Sequence, residues 1–140
     1  METPRSMNKK KVLLVDDDPL ILKTMSIKLK ARGYDVLTAS DGSSAVTTVR
    51  TMKPDLIVLD ISFPPDFGNV DWDGFRILEW FKRLEETMNT PTIVVTGGDP
   101  AKYAARAMQL GAAAFFRKPF DHDLFFESVR KILANEIVTA

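Results

Sequence analysis

In the stretch "KVLLVDDDPL" the apolar run Val12–Val15 leads straight into three carboxylates, Asp16, Asp17 and Asp18. A further carboxylate, Asp60, ends "DLIVLD", Thr96 ends "PTIVVT", and Lys118-Pro119 follows "AAFFR". Neighbouring carboxylates repel: at an effective dielectric of about 20, two unit charges about 4 Å apart cost on the order of 4 kcal/mol. A hard divalent cation offsets that cost. Mg²⁺ takes oxygen ligands, keeps several waters and shares its shell with phosphate oxygens. A lysine and a hydroxyl beside it can bind the remaining oxygens of a phosphoryl group. One carboxylate can then act as a nucleophile and form an acyl phosphate.

Each group alone has an ordinary explanation. A carboxylate at a strand end commonly caps a turn or helix, and Asp18, directly before Pro19, is assigned to capping. Thr96 alone reads as a strand-end threonine and Lys118 as a surface lysine. The chemical reading depends on the elements that would bring them together. The runs "KVLLV", "YDVLTA", "DLIVLD", "PTIVVT" and "AAFFR" are short and rich in Val, Ile, Leu and Phe, which predicts strands. Their near-continuous apolar character predicts burial on both faces, as in a parallel sheet.

Helix signals fill the gaps. Asp18-Pro19 and Asp99-Pro100 read as N-caps with proline at the first helical position, and Gly33 and Gly111 close those helices. Asp41-Gly42 opens a second helix that ends before Pro54. Asp73 caps a third, running to about Thr87. Asp121 caps the last, with Phe125, Val129 and Ile132 at helical spacing. The expectation is an α/β fold: one doubly wound (βα)5 domain, a five-stranded parallel sheet with helices on both faces. In such sheets function collects beyond the carboxyl ends of the strands, where Asp16, Asp17, Asp60, Thr96 and Lys118 all fall.

The bounds agree. The chain has 140 residues, 45% hydrophobic and 27% charged, which fits one globular domain. Residues 1–9 read as a disordered lead, 10–135 as the domain and 136–140 as a tail. Lys plus Arg equals Asp plus Glu at 19 each, so charge makes no case for nucleic acid or an anionic membrane. The one basic run, Lys9-Lys10-Lys11, reads as a solvated tail. Cysteine is absent, which removes disulfides, thiolate zinc sites and cysteine nucleophiles and fits a reducing, cytoplasmic setting. No apolar run approaches the roughly 20 residues a membrane helix needs.

With "VLLVDDDP", "PDLIVLDISFP", "IVVTGG" and "GAAAFFRKPF" in this order, the sequence resembles the response-regulator receiver domain of two-component signalling over about residues 9–135. The resemblance implies strand order 2-1-3-4-5 and Asp60 as phosphoacceptor, charged by a sensor histidine kinase or a histidine phosphotransfer protein. It implies Mg²⁺ held by Asp16, Asp17 and Asp60 with the backbone carbonyl of Ser62. Thr96 would hydrogen-bond the phosphoryl group and Lys118 would pair with Asp60. Phe115 matches the aromatic switch position, and Lys118-Pro119 would be cis, the minority form of X-Pro bonds. The surface of helix 4, strand 5 and helix 5, with Tyr103 and Leu124 as apolar contacts and Phe126 as either a contact there or core, would carry the signal to an effector protein or to a second copy. The domain itself would bind no nucleic acid and catalyse only its own phosphorylation and dephosphorylation.

The sequence also departs from that pattern. Pro64 is followed by "PDFGNVDW" before Asp73-Gly74, several residues more than usual. This is either a passive surface insertion or a lid or docking element, with Trp72 or Phe67 as its anchor. Gly98 and Ser62 are small and leave access to the phosphoryl group open. His122, the single histidine, reads as a helix-start residue without a chemical role. Three other readings compete. A haloacid-dehalogenase-like phosphatase needs a second Asp where Ser62 stands. An FMN-binding flavodoxin-like module needs a phosphate loop where "DDDPL" is acidic. A degenerate receiver that binds partners without phosphorylation would not need Asp16, Asp17, Thr96 and Lys118 together. Nothing follows the final helix in this sequence, so a stand-alone receiver and one domain of a longer regulator both remain open.

Overall fold

The apolar runs pair as strands and the capped segments between them coil, in strict alternation. The computed structural model describes residues 9–61, 74–97 and 100–134. In chain order these are β1 (Lys11–Val15), α1 (Pro19–Ala31), β2 (Asp35–Ala39), α2 (Gly42–Met52), β3 (Leu56–Asp60), α3 (Gly74–Arg83), β4 (Thr92–Thr96), α4 (Pro100–Gln109), β5 (Ala114–Arg117) and α5 (His122–Leu133). All five strands are parallel, in the order β2-β1-β3-β4-β5, as the resemblance implied.

Alternate strand residues face opposite helix layers, so the described residues form two apolar clusters. Val12, Leu14, Val58 and Val95 meet Met25 and Leu29 of α1 and Phe125 and Val129 of α5. Leu13, Val15, Leu59 and Val94 meet Ala45 and Val49 of α2, Ile77 and Phe81 of α3 and Ala107 of α4. Every residue of β3 and β4 is buried.

The predicted caps form where they are described. Asp18 accepts from the Leu20 amide at 2.9 Å, Asp41 from Ser44 at 2.7 Å and Asp121 from Leu124 at 3.1 Å. Gly33 and Gly111 take positive φ, 94° and 100°, and their amides close the helix ends onto the Lys30 and Met108 carbonyls. α2 ends at Met52, with Lys53 in the left-handed region before Pro54. The caps Asp73 and Asp99 lie outside the described residues.

One expectation is corrected. The third helix stops at Arg83, not near Thr87. The buried Thr87 hydroxyl donates to the Phe81 carbonyl at 2.6 Å, and the Met88 amide bonds the Leu84 carbonyl at 2.7 Å. The side chain thus takes a carbonyl that another helical turn would need. Lys11, which ends the basic run read as a tail but also starts the run "KVLLV" read as a strand, belongs to the strand. It opens β1, its amide donates to the Asp55 carboxylate at 2.8 Å, and its ammonium reaches the Met52 carbonyl at 3.1 Å.

Candidate functional site

Strand register builds the site. β1 pairs with β3 through Val15 and Leu59, and Asp16 directly follows Val15. Asp60 ends β3 opposite Val95, one residue before Thr96. Thr96 is opposite Arg117, one residue before Lys118. Two backbone bonds extend the ladders past their ends: the Asp16 amide to the Ala39 carbonyl at 3.1 Å and the Lys118 amide to the Thr96 carbonyl at 2.8 Å. Asp16, Asp60 and Thr96 are therefore fixed by the sheet, and all three are buried.

One carboxylate oxygen from each of Asp16, Asp17 and Asp60 lies within 4.8 Å of the other two. Asp17 is the exposed member. The Lys118 ammonium sits between the two buried carboxylates, 2.7 Å from Asp16 Oδ2 and 2.9 Å from Asp60 Oδ2. The other Asp16 oxygen accepts from the Asp18 amide at 2.9 Å. Burial pushes the Asp16 carboxyl above its ordinary value, against the pull of Lys118 and the Asp18 amide. Burial alone would lower the Lys118 ammonium, but its hydrogen bonds to Asp16 and Asp60 outweigh this and raise it. The ammonium is therefore charged throughout the physiological range. The arrangement provides a cluster of hard oxygen donors for a cation and a fixed positive charge beside a buried carboxylate.

Five of the six residues expected to act directly at the site, Asp16, Asp17, Asp60, Thr96 and Lys118, lie at this rim. The sixth, Ser62, lies outside the described residues, as do Gly98 and the segment with Phe67 and Trp72. Phe115 is half-buried on β5 and packs, with Tyr103, against the apolar cluster under α2–α4. Phe126 is core, not surface, and Leu124 is exposed. The Lys118–Asp16 contact was not anticipated. Nor was that of His122, whose Nδ1 lies 2.8 Å from the Lys28 ammonium. Beside Lys118, Leu20, Ile21, Met25, Pro119, Phe120 and His122 line an open apolar groove of about 400 Å³. The Lys118-Pro119 peptide is cis.

Comparison with known proteins gives a consistent result. Residues 12–130 match the family model described as the response regulator receiver domain. The alkaline phosphatase synthesis transcriptional regulatory protein PhoP of Bacillus subtilis is 33% identical over 94% of this chain and 51% of its own length. The DNA-binding dual master transcriptional regulator RpaA of Synechocystis is 32% identical over 88% of this chain and 48% of its own. The chain thus spans about half the length of these curated relatives. Among solved structures, a CheY-like response regulator receiver domain protein from Methanospirillum hungatei superposes with a TM-score of 0.81 at 25% identity, over 95% of this chain and all of that one. Vibrio cholerae chemotaxis protein CheY4 gives 0.78 at 25% identity, over 88% of this chain and 98% of its own.

Proposed function

Because the chain belongs to the response regulator receiver domains of two-component signalling, we propose that Asp60 is its phosphoacceptor and that phosphorylation switches the surface formed by α4, β5 and α5. The donor is the phosphohistidine of a sensor histidine kinase or a histidine phosphotransfer protein. An Asp60 carboxylate oxygen attacks phosphorus, the P–N bond breaks, and its electron pair leaves with the imidazole. The Lys118 ammonium holds Asp60 in place before transfer and then pairs with the phosphoryl oxygens. Asp16 and Asp17, with Asp60, suit Mg²⁺ because they offer hard carboxylate oxygens in one cluster; the Ser62 carbonyl is a further ligand in this reading. When bound, the cation neutralises charge on the transferring group.

The new group adds roughly 1.5 to 2 negative charges and strong acceptor oxygens. Thr96 hydrogen-bonds it and moves toward it. Phe115 turns inward into the space this leaves under α4. Burying a phenyl side chain contributes roughly 1.5–3 kcal/mol, enough to bias two states a few kcal/mol apart. The altered face, with Tyr103 and Leu124, binds an effector protein or a second copy of the chain. The domain is a signalling phosphoacceptor that catalyses only its own phosphorylation and dephosphorylation. Among the described residues no helix is long and apolar enough to cross a membrane.

The observation that carries this reading is the Lys118 ammonium between the buried Asp16 and Asp60 carboxylates. The test is intact-mass analysis after incubation with acetyl phosphate. Wild type gains one alkali-labile phosphoryl group in Mg²⁺ and none with chelator, and Asp60→Asn gains none. Equal labelling of wild type and Asp60→Asn would assign the acceptor elsewhere.

A further inference from the structure

α4 is weakly anchored for a helix that must hold a position. Its sequence is "PAKYAARAMQ", and among its described side chains only Ala107 is buried. Two of its side chains meet an aromatic ring on the first turn of α3. The exposed Arg106 guanidinium lies 4.3 Å from the centroid of the buried Phe75 ring. The Tyr103 ring packs on the same Phe75, with centroids 5.8 Å apart and planes tilted by 33°. Tyr103 and Phe115 both pack against the same apolar cluster.

We propose that the Arg106–Phe75–Tyr103 stack is a latch that holds α4 against α3 and opposes the switching of the α4–β5–α5 face. This rests on the phosphoacceptor reading for its second half only; the holding of α4 stands on the contacts themselves. On this reading an inward Phe115 repacks the cluster it shares with Tyr103, and α4 adjusts with it. The Arg106 guanidinium over the Phe75 ring ties α4 to α3 and resists that adjustment. Arg106 is a positioning residue here, distant in role from the carboxylate rim.

Arg106→Gln removes the stacked cation from an exposed site, so the fold is retained. Amide hydrogen exchange across α4 then rises by about two- to fivefold, the factor that loss of an exposed cation–π contact gives. The midpoint for the phosphoryl mimic beryllofluoride, followed by the amide resonances of the rim in Mg²⁺, falls by a similar factor. Arg106→Lys keeps the charge without the planar stack and lies between the two. Lys30→Gln, an exposed cation on α1, changes neither and separates the latch from a general charge effect. Unchanged α4 exchange in Arg106→Gln overturns the latch. Faster exchange with an unmoved or raised midpoint overturns its role against switching. Failure of wild type to take up beryllofluoride overturns the phosphoacceptor reading instead, and the exchange measurement still decides whether the stack holds α4.

Discussion

Asp16 accepts from the Asp18 amide through one carboxylate oxygen and from the Lys118 ammonium through the other, yet burial still lifts its pKa. The sign of the consequence follows from proton counting. The unfolded chain releases this proton near pH 3.8 and the folded chain releases it at a higher pH. Between those values the folded state binds more protons, so stability falls as pH rises through that window. Asp16→Asn keeps the shape and removes the titration. Urea unfolding in chelator should show the variant gaining on wild type as pH rises from below 3.8 to neutrality. A difference that stays constant with pH would mean that burial does not penalise this carboxylate. The residues of the rim were legible in the sequence because Asp16, Asp17, Asp60, Thr96 and Lys118 each follow or end a short apolar run, and a parallel sheet brings such ends to one edge. The Lys118–Asp16 contact was not, because the two are 102 positions apart and meet only through the register of the sheet.

Element boundaries were legible where the signal is local. Asp18, Asp41 and Asp121 cap helices through amides two or three residues away, and such a bond can be read from adjacent residues. The end of α3 was not, because it depends on Thr87 being buried with its hydroxyl on the Phe81 carbonyl. Nothing in "EETMNT" specifies that burial. The contact of Lys11 is not local either: its partner Asp55 is 44 positions away. Thr87→Val keeps the side-chain shape and leaves the Phe81 carbonyl without this donor. It should cost about 1–3 kcal/mol in urea unfolding, with the acetyl phosphate reaction unchanged in extent. Wild-type stability in the variant would show that the hydroxyl does not determine where α3 stops.

At the scale of the whole molecule, the sheet separates two apolar clusters that share its strands. Phe81 lies in one and Phe125 in the other, both fully buried. Truncating either to alanine should cost about 3–5 kcal/mol. Because the strands belong to both clusters, each variant should unfold in a single transition with an unchanged dependence on urea. Two separated transitions would show that the layers fold independently. The strand order was legible through the resemblance and the parallel pairing through the apolar runs, since both are properties of the pattern as a whole. The pairing also determines when the rim exists at all. Asp16, Asp60, Thr96 and Lys118 come from the ends of four different strands, and non-local parallel pairing is slow to form. A chain stalled with β5 undocked has its acidic groups but lacks the lysine between them. If Lys118 acts as proposed, such a copy takes up no phosphoryl group, and misfolded molecules contribute silence and not a false reading.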